Sequence, residues 1–252
     1  ALPISTTLKN IKKYSVSYYN TIKYILKNPK KLGFCFITAV HGSGSKLFAH
    51  LLELCGFIKA GKSPGKNEVK RRYILVTEET SSNELSRNLA VFNSPDNIDG
   101  DYIQLIIGGD IVKEGFTFKN IQFEFILTPD FNYTGVSQAL ARGIRLNSHR
   151  DLIARLARDM PDKGPGEARD MPDRDIKVDI FQNVSIPRDN TPSIDLKKYE
   201  VSEMKDMQIN SIVRLLMTSS FDCALNYRRN LITNKMYDNT RECNYTQCNY
   251  DC

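Results

Sequence analysis

Apolar residues recur along this chain at two different periods. From Thr6 to Lys27, the residues Leu8, Ile11, Tyr14, Tyr18, Ile22 and Ile25 fall close to the helical repeat, which predicts one leading helix. Short apolar runs then appear at Leu32 to Thr38, Tyr73 to Val76, Tyr102 to Ile107, Phe123 to Leu127 and Val178 to Val184, and these read as buried strands. Helical spacing returns at Lys46 to Leu54, where Gly56 is placed to close the helix as its C-terminal cap. It recurs at Ser86 to Phe92, and at Glu203 to Thr218, where Met207, Ile209, Ile212, Val213, Leu215 and Leu216 are apolar. Strands alternating with helices predict an α/β fold whose parallel sheet is covered on both faces.

Composition narrows this only a little. A chain of 252 residues with 41% hydrophobic residues can bury a real core, most simply one main domain with an appendage. No apolar run approaches the roughly 18 residues of a membrane span, and the start lacks a secretory signal pattern. The expectation is a soluble intracellular protein with no membrane partner. The net charge is +6. Clusters at Lys9 to Lys13, Lys27 to Lys31 and Lys66 to Arg72 read either as tracks for a phosphate backbone or as ordinary solvated surface.

The stretch Gln138-Ala139-Leu140-Ala141-Arg142-Gly143-Ile144-Arg145 carries more chemistry. On a helix, Gln138, Arg142 and Arg145 share one face, because residues three and four apart are neighbours. Two guanidiniums aimed together suit a phosphate chain and can neutralise charge developing on a transferring phosphoryl group; the alternative is a solvated basic helix face. Upstream, Gly108-Gly109-Asp110-Ile111-Val112-Lys113-Glu114-Gly115-Phe116-Thr117-Phe118 forms a glycine-rich loop between two of the expected strands. A second phosphate motif is only apparent. Gly56 to Ser63 matches G-x-x-x-x-G-K-[ST] letter for letter, yet a helix precedes it and Pro64-Gly65 favours a turn after it. A working phosphate loop needs the reverse context, a strand before and a helix after, so Lys62 is read as part of a basic turn.

The order of strand, glycine loop, strand and arginine helix resembles motifs V and VI of the second RecA-like domain of superfamily 2 helicases. Leu32 to Thr38 looks like the strand of motif IV and Ser45 to Phe57 like the helix after it. Within that superfamily the chain is most similar to the helicase-like ATPases of large nucleocytoplasmic DNA viruses, including the poxvirus early transcription factor and nucleoside triphosphatase group. The phrases that carry the likeness are Gly109-Asp110 with Glu114-Gly115, the run Gln138 to His149, and Arg241-Glu242-Cys243-Asn244-Tyr245. It covers about Ser15 to Cys252. Two departures are Ala141, where many relatives have glycine, and the stretch Leu152 to Ile176, which matches nothing in the family.

The resemblance implies a RecA-like parallel sheet with helices on both faces, plus a small Cys-containing C-terminal appendage. It implies an ATP-dependent helicase or translocase in which Arg142 and Arg145 act as catalytic arginine fingers. Gln138, Gly115, Glu114 and Asp110 would meet ATP, while His41, Gly42, Ser43, Gly109 and Lys113 would meet nucleic acid. ATP with Mg2+ would be held mainly by an N-terminal RecA-like domain preceding Ala1, so this chain alone is expected not to hydrolyse ATP. Further expected partners are single- or double-stranded nucleic acid and viral transcription machinery, in the host cytoplasm or the virion. The competing expectation is a non-catalytic nucleic-acid-binding or transcription-factor subunit that keeps the fold.

The remaining segments complete the expected organisation: a helix and linker over 1–30, the RecA-like domain over 31–157, a flexible insertion over 158–176, a final strand and helix over 177–220, and a Cys-rich tail over 221–252. The insertion repeats Arg158-Asp159-Met160-Pro161-Asp162 as Arg169-Asp170-Met171-Pro172-Asp173, too polar and too rich in Pro and Gly to pack, so a surface loop is expected from Leu152 to Ile176. In the tail, Cys223, Cys243, Cys248 and Cys252 have the ligand chemistry for one tetrahedral Zn2+, or remain free thiols; disulfides are the less expected state in an intracellular protein. Cys35 and Cys55 lie in apolar elements as core thiols. His149, just past the arginines, reads either as a contact to nucleotide or nucleic acid or as a capping or surface residue.

Overall fold

The computed structural model describes residues 3–61, 71–113, 115–159, 176–189 and 191–252. The expected leading helix is two: α1 (Ile4–Tyr14) and α2 (Val16–Lys27). Ser15 divides them, because its backbone is extended and its hydroxyl accepts from Tyr18 N, capping the second helix. There follow β1 (Leu32–Phe36), α3 (Ser45–Leu54), β2 (Phe57–Lys59), β3 (Arg71–Val76), α4 (Ser82–Phe92), β4 (Leu105–Gly108), β5 (Ile121–Ile126), α5 (Tyr133–Leu140), α6 (Arg150–Asp159) and β6 (Asp179–Gln182). The six strands form one sheet in the order β2-β3-β4-β1-β5-β6, with every pairing parallel. Two more helices, α7 (Ile194–Ser219) and α8 (Cys223–Asn230), follow.

Parallel strands joined by crossovers must be covered on both faces, and the side-chain alternation of β1 meets that demand. Phe34 and Phe36 pack with Ile74, Val76 and Ile106, under Leu85 and Phe92 of α4 and Val136 and Ala139 of α5. Cys35 and Ile37 point the other way, with Leu105, Ile107 and Phe123, under Ile22 and Ile25 of α2 and Phe48 and Leu52 of α3. The connection from β1 to β2 runs one way along the sheet and later connections run back, so crossovers of one hand place α3 opposite α4 and α5. Gly33 sits where only a bare backbone fits: a Cβ there would lie 1.9 Å from the Phe123 ring.

Several element ends were set by side-chain to backbone bonds. The α3 helix closes as expected at Gly56, whose φ of 95° is open to glycine and whose N–H donates to Glu53 O at 3.0 Å. The α4 helix starts earlier than its apolar spacing suggests because Ser81 accepts from Glu84 N at 3.3 Å. The strand expected from Tyr102 begins only at Leu105 because buried Asn97 accepts from Tyr102 N and Ile103 N at 2.9 and 3.1 Å, taking those residues out of the ladder. The stretch from Leu152, expected as loop, is helical to Asp159 and is tied by Arg155 to Asp99 at 2.7 Å. The repeat that follows lies mostly outside the described residues.

The chain divides into two compact units, one of residues 1–129 and 135–185, the other of 130–134 and 186–252. In the second, α7 begins at Ile194, capped by Ser193, and its apolar residues Met207, Ile212 and Leu215 are exposed. Asp206, 5% exposed, accepts from Arg241 Nε at 2.8 Å and Tyr245 OH at 2.9 Å, so the Arg241 to Tyr245 phrase anchors the tail to α7. The tail corrects the zinc expectation. Cys223 pairs with Cys252 and Cys243 with Cys248 as disulfides. Sulfurs joined in pairs have no thiolate to offer a metal, and among the described residues no His, Cys, Asp and Glu group could hold one. Cys35 and Cys55 are free and buried, as expected.

On β5 one carboxyl is misplaced by ordinary rules. Glu124 is fully buried and, among the described residues, has no hydrogen-bonding partner, so desolvation pushes its pKa well above the usual carboxylate range.

Three outcomes follow from this packing. Gly33→Ala is expected to cost about 1–3 kcal/mol in urea denaturation, as overpacking does. Because the folded protein keeps the Glu124 proton that the unfolded chain releases above about pH 4.3, stability falls as pH rises from there toward the raised folded value. Glu124→Gln should therefore melt higher than the wild type at pH 8, with the difference closing toward pH 4. In the tail, Cys223→Ser or a reductant should destabilise the fold by about 2–4 kcal/mol, while a zinc chelator leaves its melting unchanged.

Candidate nucleotide and nucleic-acid site

In a parallel sheet the loops that follow the strands emerge at one edge. The segment from Ile37 to Gly44 follows β1, and Gly109 follows the adjacent strand β4. They touch through backbone: a Cβ on Gly109 would come within 2.6 Å of Ile37 O and 3.3 Å of Thr38 Cα. Gly44 is equally constrained, since a Cβ there would lie 2.0 Å from Ala39 O. The loop is turned back on itself by bonds from Ser45 N to Ala39 O at 2.8 Å and Lys46 N to Val40 O at 3.1 Å. Tyr18 OH donates to Ser43 O from α2, and Lys46 pairs with Glu79 beyond β3 at 2.8 Å. His41, Gly42 and Ser43 are left exposed at the tip, with Gly42 at a φ of 61°.

The glycine loop continues from this edge. Asp110 to Lys113 form a short 3-10 turn, Asp110 is exposed, and Gly115 has a φ of 78° that suits glycine. Glu114 lies outside the described residues. Beyond Gly115, Phe116 and Thr117 meet the arginines: Arg142 Nη1 donates to Phe116 O at 3.2 Å, and Arg145 Nη1 to Thr117 Oγ1 at 2.8 Å. The backbone joins in, with Phe118 N donating to Arg142 O at 2.9 Å. The two stretches singled out by their sequence are therefore in direct contact, and Gly109 ties both to the His41 loop.

The shared helix face expected for Gln138, Arg142 and Arg145 does not form. The α5 helix ends at Leu140, leaving exposed Gln138 on its last turn and both arginines in the turns that follow. The reason lies beneath Gly143: a Cβ there would meet Glu124 Oε1 at 2.1 Å and Ile121 at 3.1 Å, so the chain passes tightly over β5 instead of continuing as a helix. Arg145 is exposed and Arg142 half-buried. His149 has both ring nitrogens within hydrogen-bonding distance of internal groups, Ser148 Oγ at 3.0 Å and Ile121 O at 2.6 Å. Thr117 and Tyr18 are partners that no spacing announces; each acts on a segment far along the chain.

The apparent phosphate loop also fails on geometry. The short strand β2 occupies Phe57 to Lys59, inside the motif, where a phosphate loop would wrap its backbone N–H groups around an anion. Lys62 and Ser63 lie outside the described residues.

No protein-family model matches the chain. Curated proteins do. The candidate helicase 087L of Invertebrate iridescent virus 3 is 40% identical over 248 residues, 96% of this chain and 24% of that protein. The candidate helicase 009L of Frog virus 3 is 38% identical over 249 residues, 97% of this chain and 23% of that protein. An early transcription factor large subunit homolog of African swine fever virus is 27% identical over 84 residues, 33% of this chain and 7% of that protein. The chain thus spans about a quarter of the length of the first two relatives. Among the described residues no helix is long and apolar enough to cross a membrane. Over nearly its whole length, the chain is thus homologous to a segment of helicase homologues of the large DNA viruses.

Proposed function

We propose that this chain is the C-terminal motor domain of an ATP-dependent helicase or translocase acting on nucleic acid. The observation that supports this most is that one segment meets both places: Gly109 lies against the backbone of the His41 loop, and Phe116 and Thr117 bond Arg142 and Arg145. In this reading Arg142 and Arg145 are fingers for ATP bound with Mg2+ on a preceding RecA-like domain, whose groups bind the nucleotide and supply the attacking water. Gln138, Gly115, Glu114 and Asp110 complete the nucleotide side. His41, Gly42, Ser43, Gly109 and Lys113 hold the phosphate backbone, which a translocase grips without reading bases. Because Arg142 and Arg145 bond the very segment that leads back to Gly109, a change at the nucleotide reaches the nucleic-acid loop through packed backbone. The African swine fever virus relative favours a second reading, a transcription-factor subunit that keeps the fold and its nucleic-acid surface without turnover.

One substitution in the full-length protein separates the two. Arg145→Ala should lower nucleic-acid-stimulated ATP hydrolysis by about 10³-fold, the scale of a lost arginine finger, with nucleic-acid affinity retained. Unchanged turnover would remove the finger assignment, and a wild-type protein without turnover would favour the second reading.

A further inference from the structure

The arginine turn is held by a small polar cluster that the reading above leaves without a role. Ser148, 3% exposed, accepts from Arg145 N at 3.2 Å and donates to Gly143 O at 3.0 Å, closing the turn from both sides of Ile144. Its Oγ also lies 3.0 Å from His149 Nδ1. On the far side of the ring, Nε2 lies 2.6 Å from Ile121 O, the first residue of β5. A carbonyl has no proton to give, so Nε2 carries a hydrogen for Ile121 O, and the one Ser148 hydroxyl hydrogen serves Gly143 O or Nδ1. The imidazole thus bridges the rigid sheet and the loop that presents the arginines. A second tie runs parallel to it: Asn120 N donates to Ser148 O at 2.9 Å, while Asn120 Oδ1 accepts from Leu152 N at 3.3 Å. Asn147, with a φ of 65°, turns the chain into this clamp.

We infer that Ser148 and His149 are positioning residues that lock the Arg142–Arg145 turn to the edge of β5, setting the place of the two guanidiniums without touching ligand. The inference rests on the finger reading proposed above. Three features favour a positioning role over plain packing. The cluster bonds the backbone of Arg145 itself, both ring nitrogens are used within the protein, and the turn has no helix to fix it once α5 ends at Leu140. Glu124 and Ile121 close the space under Gly143, so the turn cannot sink toward the sheet, and the Ser148–His149 bridge stops it lifting away. A finger displaced by about an ångström loses on the order of 10²-fold in rate.

The test uses the full-length protein and measures kcat and KM for ATP, nucleic-acid affinity and melting temperature for Ser148→Ala, His149→Phe and His149→Gln, with Arg145→Ala in parallel. Ser148→Ala and His149→Phe should lower kcat by about 10- to 100-fold, with KM and nucleic-acid affinity within about threefold of wild type. His149→Gln, whose amide can still donate to Ile121 O, should recover most of that loss. If His149→Phe does not fold, Ser148→Ala against wild type decides, and if Ser148→Ala does not fold, His149→Phe against His149→Gln decides. Full kcat in Ser148→Ala and His149→Phe beside an inactive Arg145→Ala would overturn the positioning role and leave the fingers standing. An active Arg145→Ala would overturn both. A kcat loss that only follows melting, equally in His149→Gln, would reduce the cluster to packing and also overturn it.

Discussion

A parallel sheet has no uncovered face, and most of what is distinctive in this chain follows from that requirement. Each strand must send its alternate side chains into two separate cores, and each crossover must carry a helix to one of them. Every residue of β1 is buried, and its neighbours β4 and β5 are buried almost throughout. With that central triplet fixed, the segments after β1 and β4 emerge side by side, close enough that Gly109 admits no side chain against Ile37 and Thr38. The candidate site is thus a consequence of strand order, since these loops are separated by some sixty residues of chain but by a single strand spacing in the sheet.

The arginine turn shows how the core reaches the surface chemistry. Gly143 lies on Glu124 and Ile121, and the same glycine's carbonyl receives the Ser148 hydroxyl. A buried carboxyl without a partner among the described residues is costly, and burial raises its pKa; an ionised Glu124 would bring a charge beneath the turn that carries the two guanidiniums. The turn therefore rests on a floor where burial favours the neutral carboxyl, and His149 holds it from above. Arg142 and Arg145 in turn grip Phe116 and Thr117, so the glycine loop and the arginine turn position one another.

The second unit follows a different physical rule. Its long helix exposes many of its apolar side chains, and the tail is fastened by bonds to individual groups: Arg241 and Tyr245 on Asp206, and two disulfides. Four cysteines at irregular spacing are compatible with metal or with pairing, because spacing alone does not say which sulfurs meet. Tertiary placement brought them together two by two.

Sequence by itself determined the elements whose signal is local. Five of the six strands announced themselves as apolar runs, the α3 helix and its Gly56 cap were legible, and the arginine stretch and glycine loop marked themselves out by residue type. The three-residue strand β2 was too short to leave a pattern, and the division at Ser15 depended on one hydroxyl competing with a continuous helix. Tertiary structure alone decided that the arginines leave the helix, that they bond Phe116 and Thr117, that His149 turns inward to Ile121, and that the tail cysteines pair. The physical reason is range: backbone periodicity repeats within a few residues and is written in their order. Which carbonyl a guanidinium or an imidazole meets depends on segments more than twenty residues away, brought near only when the sheet buries both its faces.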